Sequence, residues 1–287
     1  MRTHPRNEAA TPGYDRLAPF LKRPGGKRAL AARLLALLPR GRRLIEPFVG
    51  AGSIFAASDF AEYLLADANP DLITLYRLLR ENSEALVAEC RELFDDVAEA
   101  QHCYYARRDR FNDLPLGLER AALFVYLNRY GFNGLCRYNQ AGRFNVPAGR
   151  FTAAPKQPWR EMLAWATKLK RAELRAGDFA DTLAEAQAGD VVLCDPPYAP
   201  LDARACFASY TGASFGWADH VRLVDLSRQL AARGVPVLIT NHDTQMVRRL
   251  YRGALLFRFE VRRSIGRSAE SRRKVPELAA LFAVVEM

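Results

Sequence analysis

The sequence predicts an α/β fold: an open, mostly parallel sheet flanked by helices and interrupted by an inserted, mainly helical segment. Three observations predict it. Short apolar runs alternate with helical stretches over residues 28–69 and again over 158–251. One run, Arg43 to Phe48, passes directly into Gly50-Ala51-Gly52-Ser53 and then Ile54-Phe55-Ala56-Ala57, the strand, glycine turn and helix that open a Rossmann-like unit. Between residues 70 and 157 the alternation stops and the composition changes. At 287 residues, 49% of them hydrophobic, the chain is long enough for one large domain with an insert.

Residues 1–16 are polar and aperiodic and read as a flexible tail. Residues 17–69 and 158–287 form the main domain, and 70–157 the insert. In the main domain, Lys22-Arg23-Pro24-Gly25-Gly26-Lys27 reads as a loop whose glycine pair lets backbone approach a ligand. A helix over 28–38 ends before Pro39. The strand 43–48 then enters the glycine turn. The next strand, Tyr63 to Ala66, ends in Asp67, where a carboxylate can accept hydrogen bonds from both ribose hydroxyls. The third glycine of the dinucleotide fingerprint is missing, so a pyrophosphate is not especially indicated. Glycine turn and Asp67 together point to a nucleoside-bearing cofactor.

The insert divides by charge. From Asp59 to Glu99, acids outnumber bases eleven to three, and Asp71 to Ala100 reads as helical. From Gln101 to Phe151 there are eight arginines against three acids. Aromatic residues and asparagines are interleaved with them in Tyr126-Leu127-Asn128-Arg129-Tyr130-Gly131-Phe132-Asn133-Gly134-Leu135-Cys136-Arg137-Tyr138-Asn139. Its glycines and asparagines exclude a simple core helix. A helix end followed by a polar, aromatic loop fits better, with arginines suited to phosphates and guanine edges and flat rings suited to a gap in a base stack. A solvated charged face is the competing reading. Asn145 to Phe151 reads as a hairpin exit back to the main domain.

The α/β pattern then resumes with a helix over 159–171 and a short strand, Ala172 to Arg175, followed by Gly177-Asp178-Phe179. Asp178 is placed to meet an adenine edge. A helix over 180–187 precedes the apolar run Val191-Val192-Leu193-Cys194, which reads as a buried parallel strand. Asp195-Pro196-Pro197-Tyr198 follows at its carboxyl end, where open α/β sheets place their sites. A carboxylate, two prolines and a ring make a stiff notch suited to a flat base with an exocyclic amino group; an ordinary turn is the competing reading. Residues 199–217 form a lid-length polar loop. Helix 219–233, strand 235–239, helix 243–251 and an antiparallel pair, 255–263 with 277–286, complete the fold, with a basic loop from Arg262 to Lys274.

Composition narrows the partners. The net charge is +10, and arginine far outnumbers lysine, which favours a polyanion such as nucleic acid. Five scattered cysteines without a CxxC, and four histidines without ligand spacing, indicate neither a disulfide framework nor a metal site. With no apolar run of membrane length, a reducing cytoplasm and a monomer are the expectation.

A class I S-adenosylmethionine-dependent methyltransferase fold explains the set. The cofactor's methionine end would lie on the glycine turn, its ribose on Asp67 and its methyl group toward Asp195. An adenine N6 is a poor nucleophile because its lone pair is delocalised. Asp195 and the carbonyl near Pro196 could each accept an amino hydrogen and free that lone pair for attack, while Tyr198 stacks on the base. In duplex DNA such a base has to flip out.

The series Lys22 to Lys27, Glu46-Pro47-Phe48-Val49-Gly50-Ala51-Gly52-Ser53, the 126–139 block and Asp195 to Tyr198 resembles the bacterial Dam-type DNA adenine-N6 methyltransferases of the α group, over about residues 19–287. The resemblance implies methylation of adenine in GATC sites of double-stranded DNA. It implies S-adenosylmethionine held by Arg23, Lys27, Pro47, Phe48, Gly50, Ala51, Gly52, Ser53, Asp67 and Asp195, with Asp178 and Phe179 beside the adenine. Asp195, Pro196, Pro197 and Tyr198 would hold the target base. Lys22 would read the first guanine, Phe132 and Asn133 would fill the space left by the flipped adenine, and Leu135, Arg137 and Pro147 would read the outer base pairs. Arg108, Asn112, Arg129, Asn139 and Arg150 would grip phosphates. Arg23 and Pro24 stand where the family commonly carries tryptophan and alanine, and Phe132 and Phe151 where it carries tyrosines. Two rivals stay open: an amino methyltransferase of another site or of cytosine N4, and a DNA-binding relative without catalysis.

Overall fold

The structure, a computed structural model, describes residues 17–22, 27–94, 102–151, 153–201, 215–262 and 274–284. The tail 1–16, Arg23, most of the lid-length loop and the basic loop lie outside the described residues.

Seven strands form one sheet in the order β3-β2-β1-β4-β5-β7-β6. β1 (Arg43–Glu46), β2 (Glu62–Asp67), β3 (Ala172–Ala176), β4 (Asp190–Cys194) and β5 (Val237–His242) are parallel. β6 (Leu255–Arg262) and β7 (Lys274–Phe282) close one edge, β7 lying antiparallel to both β5 and β6. All residues of β4 and β5 are buried, which explains their near-continuous apolar sequences. From β1 the chain winds outward to β2 and β3, then returns to the other side of β1 for β4 and β5. β1 and β4 therefore flank the point where the winding reverses, and the crevice at their carboxyl ends is the natural ligand site.

The helices are α1 (Ala31–Leu35), α2 (Ser53–Ala57), α3 (Pro70–Glu81), α4 (Ser83–Glu92), α5 (Tyr104–Asp113), α6 (Leu118–Tyr130), α7 (Trp159–Leu169), α8 (Phe179–Ala184), α9 (Trp217–Ala232) and α10 (Gln245–Leu250). α3 starts where Asn69 accepts a hydrogen bond from the Asp71 amide and Pro70 takes the first position, whose amide needs no partner. The helix expected over 71–100 breaks at Asn82, whose backbone (φ −147°, ψ 62°) leaves the helical region. The strand expected over 43–48 stops at Glu46, and Pro47 begins the turn. α6 is buried on every side from Ala121 to Tyr130. One apolar cluster joins α6 and α7 to one face of the sheet, with Trp165 at its centre, edge-on to Phe20 and Phe55. Among the described residues no helix is long and apolar enough to cross a membrane, and no histidine, cysteine or carboxylate cluster could hold a metal ion.

Candidate active site and DNA-reading face

The crevice between β1 and β4 is lined by Lys27, Glu46, Phe48, Val49, Gly50, Ala51, Ser53, Ile54, Asp67, Ala68, Asp195, Pro197 and Phe215. The glycine turn forms its floor. Gly50 and Gly52 both have positive φ, and the Asp67 carboxylate fastens the turn by accepting the Gly50 amide at 3.0 Å. Its other oxygen accepts the Asn69 amide at 3.0 Å, so Asp67 is fixed while facing the crevice. The Tyr76 hydroxyl donates to the Gly50 carbonyl at 2.6 Å from beneath.

Two aromatic residues wall the crevice. Phe48 lies 5.4 Å from both Phe179 and Phe215, and Phe215 forms part of the lining. Phe179 stands behind this pair, buried. Asp178 is not among the lining residues. Its carboxylate caps α8 through the Ala180 amide at 2.8 Å and pairs with Arg222 at 2.6 Å. Sequence reasoning gave Phe215 no role, because it lies at the end of a long loop without a motif.

Glu46, at the end of β1, is wholly buried and lines the same crevice. Its Oε1 has no hydrogen-bond partner. Burial first, and then the nearby Asp195 charge, push its carboxyl up to about 8. A carboxyl with a raised folded pKa takes up a proton on folding. Its contribution favours the folded state most below the ordinary carboxylate range and is lost as pH rises toward 8. Glu46→Gln is therefore expected to flatten the decline in stability between pH 5 and 8, read by urea unfolding at several pH values. An unchanged decline would assign it to other groups.

The Asp195 tetrapeptide is pinned to β5 by three consecutive residues. Thr240 Oγ1 donates to Asp195 Oδ1 at 2.5 Å, Asn241 Oδ1 accepts the Ala199 amide at 3.0 Å, and His242 Nδ1 meets the Ala199 carbonyl at 2.8 Å. Lys27 adds its ammonium to the same Asp195 oxygen at 3.0 Å. Oδ1 is thus fixed by a hydroxyl and a cation, and Oδ2 carries no hydrogen bond among the described residues. His242 meets the Tyr198 ring edge-on at 4.9 Å. Pro196 is buried and Pro197 lines the crevice. Thr240, Asn241 and His242 carry no motif, yet they stand at the carboxyl end of the neighbouring strand, the one signal that could have found them.

A second group of predicted residues gathers around the end of α6. Asn128 clamps the Lys22 backbone, accepting its amide at 2.8 Å and donating to its carbonyl at 2.7 Å. Gly134 (φ +65°) approaches so closely that a Cβ there would stand 2.4 Å from Lys22 Cβ. Burial, and then Arg129, lower the Lys22 pKa, and its ammonium lies 5.5 Å from the Phe151 ring centre. Phe132 and Asn133 project outward on a tight turn, with Asn133 in the left-handed region (φ 54°). The Phe132 amide is held by the Pro147 carbonyl at 2.9 Å. Arg137 is exposed and braced by Asn145, with Nε to Oδ1 at 2.7 Å. Leu135 is half-buried, while Asn139, Pro147 and Arg150 are exposed. Asn139 folds its own loop, accepting the Ala141 and Arg143 amides. Arg108 is half-buried and stacks on Tyr105 at 4.9 Å.

Two of the residues expected to grip phosphates are engaged within the protein. Arg129 does not face outward: it is buried, and its guanidinium donates to the Phe20 carbonyl, because α6 is covered on all sides. Asn112 is half-buried. Both ends of its amide hold Phe144, accepting the amide at 2.6 Å and donating to the carbonyl at 3.1 Å. Asn128, which sequence reasoning passed over, does more to shape this face than either.

The strand order, the glycine turn closed by an aspartate and the acid–Pro–Pro–Tyr motif beside it define a class I S-adenosylmethionine-dependent methyltransferase of the amino-methylating kind. A family model for D12 class N6 adenine-specific DNA methyltransferases matches residues 24–265, and the chain belongs to that family. It is 46% identical over 264 residues to the DNA adenine methylase of Vibrio cholerae serotype O1, covering 92% of this chain and 95% of that one. It is 45% identical over 263 residues to the DNA adenine methylase of Escherichia coli K12, covering 92% and 94%. A putative class I methyltransferase of Listeria monocytogenes overlays with a TM-score of 0.38 at 12% identity, covering 92% of this chain and 61% of that one. The activity is methyl transfer from S-adenosylmethionine to adenine N6 in DNA.

Proposed function

We propose that the enzyme methylates adenine in GATC sites of double-stranded DNA after flipping the base into the Asp195 notch. The observation that carries this reading is Asp195 itself: one carboxylate oxygen anchored by Lys27 and Thr240, the other accepting no hydrogen bond among the described residues, beside the crevice that fits the cofactor. That second oxygen accepts one amino hydrogen of the target adenine, and a carbonyl near Pro196 accepts the other. The N6 lone pair would thereby be freed from conjugation to accept the methyl group that S-adenosylmethionine would supply, and the carboxylate would favour the positive charge developing on nitrogen. The Asp195 carboxylate is also the nearby base suited to the surplus N6 proton.

The crevice fits S-adenosylmethionine by its donor set. Asp67 suits the ribose, Phe48 and Phe215 the adenine faces, and the unpartnered Glu46 oxygen the α-ammonium of the methionine end. The cofactor supplies the electrophilic methyl group. Residues 70–157 act as the recognition domain, with Lys22 joining it from the main domain: Lys22, Leu135, Arg137 and Pro147 read base edges, Phe132 and Asn133 fill the vacated stack, and Arg108, Asn139 and Arg150 meet phosphates. A flipped base leaves a hole of that kind, and the exposed Phe132–Asn133 turn is shaped to enter it. The relatives support the bacterial cytoplasm as the setting. A monomer of 32.2 kDa in solution, read by light scattering, is part of this reading.

The test is digestion of plasmid from an expressing, methylation-deficient bacterial host. An endonuclease that cleaves GATC only when its adenine is methylated is expected to cut it. Plasmid that resists this nuclease overturns GATC methylation. Specificity has its own test in Arg137→Ala. This change is expected to narrow the difference between cognate and one-base-altered duplexes by about 1–3 kcal/mol, measured as a kcat/KM ratio. An unchanged ratio would rule out direct reading by that guanidinium.

A further inference from the structure

We propose that Glu277, on β7, is a positioning residue for methyl transfer, holding Tyr198 by its hydroxyl and Asp195 through Lys27. The inference rests on the reading of Asp195 to Tyr198 as the target-base site. Glu277 is far from that motif in sequence and reaches it through strand pairing. β7 runs antiparallel to β5 with His242 opposite Glu277, which places this carboxylate two positions from Thr240. The Tyr198 hydroxyl donates to Glu277 Oε2 at 3.1 Å. The Lys27 ammonium stands 4.0 Å from that same oxygen, 3.0 Å from Asp195 Oδ1 and 4.5 Å from the Tyr198 ring centre. Lys27 and Glu277 are nearly excluded from water, with side chains 8% and 12% exposed, so these contacts are weakly screened.

Two consequences follow. The Tyr198 ring is held by three groups: Lys27 over the ring, His242 in a T-shaped contact and Glu277 at the hydroxyl. The second consequence is electrostatic. Lys27, Asp195 and Glu277 together carry one surplus negative charge when all are ionised. Sharing the ammonium between two carboxylates leaves Asp195 a better acceptor than a closed one-to-one pair would. Adenine N6 gains positive charge during transfer, and the surplus charge favours that state over the ground state. Glu277→Gln removes the surplus and weakens the hold on Tyr198.

The test uses the full chain on a duplex containing one site. Glu277→Gln is expected to slow single-turnover methyl transfer by about 10–100-fold, the worth of one charge-assisted hydrogen bond, with S-adenosylmethionine affinity unchanged. Glu277→Asp, which keeps the charge, is expected to recover part of the rate. Because Glu277 acts partly through the Tyr198 hydroxyl, Glu277→Gln combined with Tyr198→Phe should lose less than the product of the two single losses. An unaltered rate in Glu277→Gln, or fully multiplicative losses, overturns the proposal. Should the glutamine variant melt early, the same cycle run with Glu277→Asp decides on the same criterion. Asp195→Ala, assayed in parallel, separates the two levels. An inactive Asp195→Ala beside a fully active Glu277→Gln sinks the positioning role and leaves the base site intact. An active Asp195→Ala sinks the base-site reading itself.

Discussion

Asp195→Ala is expected to abolish methyl transfer while leaving duplex binding largely intact. Adenine N6 attacks only when its lone pair is released from the ring, and in the proposed mechanism the acceptor that draws it out is the Asp195 carboxylate. Loss of one such preorganised partner costs about 10²–10³-fold in kcat by analogy with oxyanion-hole donors. Here the loss is expected to be greater, because the same carboxylate balances the Lys27 ammonium. Removing it takes from a nearly buried cation its nearer carboxylate, leaving Glu277 at 4.0 Å, and turns the summed charge of these three groups from −1 to 0. The residues proposed to read DNA are other than Asp195 and lie mostly on the loop after α6, so binding to a one-site duplex in a gel-shift or anisotropy assay is expected to survive. Turnover retained near the wild-type rate would refute the role assigned to Asp195.

Gly52→Ala is expected to have the largest effect on folding. Gly52 has φ +63°, where an L side chain is strained by roughly 1–2 kcal/mol. A Cβ there would also stand 2.3 Å from Trp165 Cη2. Trp165 cannot step aside: it is completely buried, its indole nitrogen donates to the Ala18 carbonyl at 2.9 Å, and Phe20, Phe55 and Tyr76 pack around it. Overpacking of this kind adds about 1–3 kcal/mol. Together these give a loss of roughly 2–5 kcal/mol, read as a lower urea midpoint, and a glycine turn displaced from the cofactor crevice. A variant as stable as the wild type, with unchanged cofactor affinity, would mean that Trp165 yields more readily than its packing implies.

The sheet and half of the site were legible in the sequence because they are written locally. Gly50-Ala51-Gly52 directly follows an apolar run, Asp67 ends the next one and Asp195 ends another, so periodicity alone brings them to one edge of the sheet. The supporting residues were illegible for the opposite reason. Thr240, Asn241 and His242 look like the end of any buried strand, and Glu277 like an ordinary acid near a terminus. Each acquires a function only through the pairing of β4, β5 and β7. That Arg129 is buried was not legible either, since only tertiary packing reveals that α6 is enclosed. Glu46 lay inside a recognised motif and was still read only as part of the strand over 43–48, since a buried carboxyl oxygen without a hydrogen-bond partner is invisible in a linear sequence.

The reading of the target is tested most directly by single-molecule sequencing of DNA from a methylation-deficient host expressing the chain or its Asp195→Ala variant. The account predicts N6-methyladenine at GATC on both strands with the native chain and none with the variant. Methylation at cytosine, at adenine in another sequence, or undiminished in Asp195→Ala would contradict it.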